Sequence, residues 1–158
     1  MDNMLNLAPI FTTSSGTRVT LEDFLRQHVN GHQRVIYIGT DSRNTQHTKF
    51  STVLVAYTPG RGGVILRRNR RERKIESLGE RLLREAFYSV ELAIAASSLL
   101  PRQVSIEIHL DINSNARHKS HQYLTAVVGL VSAQGFDYRV KPDAWCATCI
   151  ADRVVKRS

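Results

Sequence analysis

The order of elements in this sequence predicts a mixed α/β fold. A five-stranded sheet begins as a three-strand antiparallel meander, continues by parallel crossovers and is flanked by helices. Three observations carry that expectation. Apolar, β-branched runs at 35–41, 50–57 and about 64–71 are separated by connections too short for a crossover, which makes them antiparallel neighbours. Beyond residue 77, helical and strand patterns alternate, as in sheets with parallel strands. Two runs, Val35-Ile36-Tyr37-Ile38-Gly39-Thr40-Asp41 and Ile106-Glu107-Ile108-His109-Leu110-Asp111, stop on a carboxylate, and a third, Tyr138 to Pro142, reaches Asp143. Ligands of α/β sheets bind at the carboxyl ends of parallel strands, so these positions are the first candidates for chemistry.

Each element has its own signal. Residues 1–16 show no period and read as an irregular arm. Thr20 caps a helix with Glu22 and Asp23 in its first turn, which runs to about Val29 and stops at Asn30-Gly31. Thr58 to Gly63 form the turn between the second and third strands. Ser77-Leu78-Gly79-Glu80 is a capping box opening the longest helix, with an apolar stripe through Leu78, Leu82, Ala86, Val90 and Ile94, ending before Pro101. A strand at 104–111, a helix from about Ser120 to Ala133 stopped by Gly135, a strand at 138–141 and a helix from about Ala144 to Val155 complete one domain over 1–158.

Composition narrows the partners. Lys and Arg total 22 against 14 acids, a net charge of +8 that favours a polyanion through direct pairing and counterion release. No apolar stretch nears the roughly 20 residues of a membrane span, and the start lacks the pattern of a secretory signal. Two cysteines argue against a disulfide scaffold and point to a reducing, cytoplasmic setting.

Carboxylates at strand ends in a basic chain suggest a metal-dependent site acting on phosphodiesters. Hydrolysis there needs an activated water and neutralisation of charge growing on the phosphate. Two divalent ions about 4 Å apart supply both, and hard ions such as Mg2+ or Mn2+ require oxygen ligands. The reading requires Asp41, Asp111 and at least one further carboxylate to converge within about 5–6 Å.

The order of strands, the first-strand aspartate, the long helix bearing glutamates and the fourth-strand aspartate resemble the RNase H-like nuclease fold. Ile38-Gly39-Thr40-Asp41-Ser42, Ser77-Leu78-x-Glu80-Arg81, Glu85, His109-x-Asp111-Ile112 and Lys141-Pro142-Asp143-Ala144 resemble, more closely, the bacterial YkuK-like family of RNase H-like proteins, over roughly residues 20–156. That resemblance implies the fold, and implies a nuclease site of Asp41, Glu85, Asp111 and Asp143 as catalytic and metal-binding residues. Glu91 and Asp152 are the alternatives. Glu91-Leu92-Ala93 looks like the RNase H helix, whereas Glu85 fits the YkuK-like spacing, and the helical wheel puts both about 120° from the apolar stripe. Asp143 stands at a strand-to-helix junction, where it binds metal or caps the helix; Asp152 resembles the final-helix aspartate of RNase H, or pairs with Lys156. After Asp111 the glycine-containing loop of such proteins is replaced by Ile112-Asn113-Ser114-Asn115-Ala116, and asparagine's tolerance of left-handed geometry would let the turn survive.

Arg67, Arg68, Arg70 and Arg71 lie in the densest cationic run, and on a strand only about half of them can face one ligand. With Arg117 and Lys119 beyond Asp111, they are the expected contacts to a nucleic-acid backbone. His109 shares a strand face with Asp111 and reads first as a hydrogen-bonded structural histidine; with His118 and His121 it matches no zinc motif. Cys146 and Cys149 read as packed thiols and Trp145 as core. The functional expectation is therefore a metal-dependent nuclease. The alternatives are a non-catalytic nucleic-acid-binding module and a regulatory protein binding an acidic partner.

Overall fold

The computed structural model describes residues 9–29, 31–32 and 35–146. Its frame is a seven-stranded sheet in the order β2-β1-β5-β4-β3-β6-β7. The expected meander is β3 (Val35–Asn44), β4 (His47–Thr58) and β5 (Gly62–Arg73), antiparallel throughout; β6 (Ser105–Asn113) and β7 (Asp137–Lys141) follow in parallel. Two strands were not expected. β1 (Ile10–Thr13) and β2 (Arg18–Thr20) form a hairpin from the supposedly irregular arm, and β1 pairs with β5. Only Phe11 of the two strands is fully buried, so segments this short show no period in sequence.

Two helices keep their predicted starts. α1 (Leu21–His28) is capped by Thr20, whose hydroxyl accepts from the Asp23 N–H at 3.1 Å. α2 (Leu78–Ser97) is capped by Ser77, which accepts from the Glu80 N–H at 3.2 Å. The expected stripe fails at its far end: Ile94 is 49% exposed. Repeating a step of four residues turns the stripe about 40° each time, so Ile94 has rotated away, and the buried line runs through Leu82, Ala86, Ser89, Ala93 and Ala96 instead. The helix expected at 120–133 opens as a 3-10 turn (Lys119–Tyr123) before α3 (Leu124–Ala133). Tyr123 lies over Gly79, where a Cβ would come within 2.4 Å of its ring, and so ties the loop after β6 to the start of α2.

The main core lies between one face of the sheet and all three helices, with Phe24, Ile36, Ile38, Leu54, Leu66, Ile108, Val127 and Val131 fully buried. We call this the helical face. A smaller cluster of Val53, Val55, Ile65 and Cys146, with Tyr37 and Trp145 against it, lies on the opposite face. The final helix expected from Ala144 falls, beyond Cys146, outside the described residues, as do Cys149 and Asp152. Among the described residues, no helix is long and apolar enough to cross a membrane.

Candidate functional site

The two aspartates expected to end their strands lie inside them instead, because β3 continues to Asn44 and β6 to Asn113, and they stand near each other. β3 and β6 pair in parallel up to Gly39↔His109, and Asp41 and Asp111 are each two residues farther along. Successive strand residues point to opposite faces. Ile38, Ile108, Leu110 and Ile112 belong to the core on the helical face, whereas Tyr37 and His109 meet Trp145 on the other. Asp41 shares the parity of Tyr37 and lines a groove on the face opposite α2. Asp111, next to a register irregularity of β6, borders both Glu85 of α2 and Lys141.

The even positions of β3 grip α2. Thr40 bonds the Ser89 hydroxyl at 2.8 Å and donates to Thr52 at 3.0 Å. Two residues on, the Ser42 hydroxyl donates to a Glu85 carboxylate oxygen at 2.5 Å. Two strand residues span about 6.6 Å and four helical residues about 6 Å, so the pairs Thr40–Ser89 and Ser42–Glu85 keep step along the two elements. Arg81 donates to Ser42 at 3.4 Å, and among the described residues its buried Nε has no partner.

Glu85 is nearly inaccessible, at 7% exposure. Burial drives its pKa up to about 8; the Ser42 hydrogen bond opposes this, while the charges of Asp111 and Asp41 add to it. The Asp41 carboxyl is also raised, first by burial and then by Asp111, with Lys141 and Arg43 pulling the other way. Asp41, Glu85 and Asp111 are thus within electrostatic reach of one another. Of the two candidate glutamates, Glu85 is the one so placed. Glu91 instead pairs with Arg70 at 2.5 Å and Arg68 at 3.8 Å.

The convergence of three carboxylates that the sequence reading requires is not found among the described residues, and the set does not close into a metal cage. Among the described residues, no group of three or more His, Cys, Asp or Glu is arranged to hold a metal ion. The reasons are local: strand alternation sends Asp41 and Ser42 to opposite faces, Ser42 holds Glu85 on the helical side, and the Lys141 ammonium is bonded to Asp111. Asp143 is exposed in the turn after β7, where its N–H donates to the Val140 carbonyl at 2.9 Å. The donor chemistry nevertheless suits a hard cation. The three carboxylates carry oxygen ligands only, and Glu85 and Asp41 are held above their usual range by burial and mutual repulsion.

His109 has a structural role, as its pattern suggested. The Trp145 and Cys146 N–H groups both donate to its Nδ1 at 3.1 Å, so that nitrogen carries no proton. Nε2 donates to Glu107 at 2.8 Å. Burial holds the imidazole below the usual histidine range although Glu107 pulls it upward, so the contact is a neutral hydrogen bond and not an ion pair. His109 thereby clamps the segment after β7 onto the sheet. Burial pushes the Cys146 thiol far up, which fits a packed, inert side chain.

The loop after Asp111 is held by side chains. The Asn115 N–H donates to the Asn113 side chain at 2.9 Å, and the Arg117 N–H to the Asn115 side chain at 3.0 Å. Left-handed geometry is not used: among the described residues no non-glycine residue has positive φ. Arg117 and Lys119 stand exposed on this loop and the turn after it.

The arginine run divides by parity, and two of the six expected contacts, Arg68 and Arg70, hold partners within the fold. Arg68 and Arg70 face the helices, bound to Glu91, with Arg70 stacked on Tyr88 at 4.1 Å and Arg68 over Phe11 at 5.8 Å. They are occupied by the fold. Arg67 and Arg71 share the face of Asp41, where a groove of about 600 Å3 is lined by Asp41, Arg43, Lys49, Ser51, Asn69 and Arg71 among others. Arg43 and Lys49 were missed by sequence reading. So were Ser42 and Lys141, the partners that fix Glu85 and Asp111. Pairing β3 with β4 across the Thr45-Gln46 turn would have found the first two, since Arg43↔Lys49 and Asp41↔Ser51 follow from that register.

A mixed sheet carrying an aspartate on the first long strand, a neighbouring aspartate on the parallel strand beside it and a buried helical glutamate defines an α/β protein of the ribonuclease H type. The chain belongs to the ribonuclease H-like family, whose model, described as Ribonuclease H-like, matches residues 18–156. It is similar to the uncharacterized protein YkuK of Bacillus subtilis (strain 168), with 29% identity over 169 aligned positions covering 93% of this chain and 97% of that protein. No solved structure gives a significant match.

Proposed function

We propose that this protein is a divalent-metal-dependent nuclease that hydrolyses phosphodiester bonds of RNA or DNA. Asp41, Asp111 and Glu85 would hold Mg2+ or Mn2+, with Asp143 or Asp152 as the remaining candidate ligand. The observation that carries this reading is the electrostatic stress among the three carboxylates, which Lys141 relieves with only one positive charge. A bound divalent ion supplies neutralisation of the phosphate and a water of lowered pKa. The chain's own residues prepare for it. Ser42, backed by Arg81, fixes the rotamer of Glu85, and the parallel register of β3 and β6 sets Asp41 beside Asp111.

The test is cleavage of single-stranded, duplex, hybrid and branched substrates with Mg2+ or Mn2+, wild type against Asp41→Asn. Replacing a ligand should cost more than the roughly 10–100-fold typical of outer-shell partners. Cleavage unchanged by the substitution would belong to a contaminant or another site and would end this reading. A separate readout is calorimetric: because Glu85 titrates near pH 8, cation binding at pH 7 should release close to one proton from it, and Glu85→Gln should abolish that release.

The lack of a closed metal-holding group among the described residues favours a second reading, a nucleic-acid-binding module without catalysis. Salt-dependent binding with no cleavage under any divalent ion would select it.

A further inference from the structure

Three cations on the Asp41 face of the sheet form a row. In β-sheet register, Asp41 faces Ser51 and Ser51 faces Asn69; one step farther out, Arg43 faces Lys49 and Lys49 faces Arg71. All six side chains share one parity, hence one face. Neighbouring strands lie about 4.8 Å apart, so three cations span about 10 Å of sheet immediately beside the carboxylate. Arg43, Lys49 and Arg71 are exposed and have no carboxylate partner among the described residues; Arg71 meets only His47, at 2.8 Å. On the other face the neighbouring charges of the same strand, Arg68, Arg70 and Glu72, are all matched by α2. Arg43 is offset only at a distance by Asp41, and no ion pair among the described residues matches the row, which leaves its three charges open to an anionic ligand.

We propose that Arg43, Lys49 and Arg71 form a phosphate track that seats the backbone of a nucleic-acid duplex across the sheet beside Asp41. The occupant follows from the lining. Duplex DNA carries one charge per about 1.7 Å of axis, so a 10 Å row faces several phosphates. Single strands are held chiefly by stacking of unpaired bases on aromatic rings. Among the described residues, the one aromatic ring of Phe, Tyr or Trp lining this groove is that of Phe50, which is 1% exposed and turned to Tyr88 on the helical face. A ligand whose bases already stack on each other fits such a surface. The track deepens the nuclease reading by naming its substrate class, and rests on that reading only for what happens after binding.

The experiment measures binding without metal, in chelator, by anisotropy of labelled duplexes and matching single strands of DNA and RNA over a salt series. Each of Arg43→Gln, Lys49→Gln and Arg71→Gln should reduce the slope of log K against log salt by about 0.9 on a duplex, and the triple variant by about 2.7. Arg84→Gln removes the same charge from α2 and should leave the slope unchanged. Thermal melts confirm that each exposed-site variant is folded. An equal effect of Arg84→Gln, single strands held as tightly as duplexes, or no binding at low salt each overturns the track. Duplex binding that needs the row but never leads to cleavage keeps the track and ends the nuclease reading. Cleavage that needs Asp41 while the slopes stay fixed does the reverse.

Discussion

The two faces of the sheet use charge in opposite ways. On the helical face, cations of β5 are matched by acids or rings of α2: Arg70 by Glu91 and Tyr88, and Arg68 by the same Glu91. Its polar groups are satisfied as well, with Thr40, Thr52 and Ser89 bonded in a buried chain. On the Asp41 face, Arg43, Lys49 and Arg71 stand beside a carboxylate already raised by burial. One strand therefore carries two charge systems, one serving the fold and one free for a ligand. Composition alone, with its net +8, counts both as one.

The largest test of the contrast concerns Glu85, among the described residues the one carboxylate buried on the matched face. Its folded pKa of about 8 lies above the ordinary value of 4.5. A raised folded pKa means stabilisation that is fully present below about 4.5 and lost as pH rises through about 8. At roughly 1.4 kcal/mol per unit, the loss is on the order of a few kcal/mol. Metal-free wild type should lose Tm relative to Glu85→Gln as pH rises across that window. Parallel Tm curves for the two proteins would show that Glu85 is solvated, and that the helical face is not sealed around it.

A packing test comes next in size. A Cβ at Gly79 would press into the Tyr123 ring at 2.4 Å, whereas one at Gly129, on the exposed side of α3, meets nothing within 4 Å. Gly79→Ala should cost about 1–3 kcal/mol by overpacking. Gly129→Ala should instead stabilise by up to about 1 kcal/mol, through helix propensity. Denaturant melts of the two variants decide it, and a neutral Gly79→Ala would mean that Tyr123 does not hold the site loop against α2.

How much of this was legible in the sequence depended on whether a residue obeys a period. Asp41 and Asp111 were legible because each ends a buried run, and the caps at Thr20 and Ser77 because they are local. β1 and β2 escaped notice because four and three residues hold no period. Arg43 and Lys49 escaped because β3 and β4 extend past the core, where both faces turn polar and alternation disappears. The partners Ser42–Glu85 and Lys141–Asp111 are separated by 43 and 30 residues, and only the register of tertiary elements brings them together. The choice of Glu85 over Glu91, which the wheel leaves open, is likewise made by what each meets: Ser42 for one, Arg70 for the other.

The smallest effect cuts closest to the contrast between faces. Arg70 and Arg71 are adjacent, chemically identical and one residue out of phase. Arg70→Ala removes a half-buried ion pair and a ring contact, together about 1–2 kcal/mol. Arg71→Ala, at an exposed position bonded among the described residues only to His47, should stay within about 0.5 kcal/mol. Nucleic-acid binding should rank them the other way, with Arg71→Ala weakening it and Arg70→Ala leaving it unchanged. Urea melts and a salt-resolved binding series on the same two proteins supply both rankings. If stability and binding move together at both positions, parity does not divide this strand, and the row beside Asp41 is ordinary surface charge.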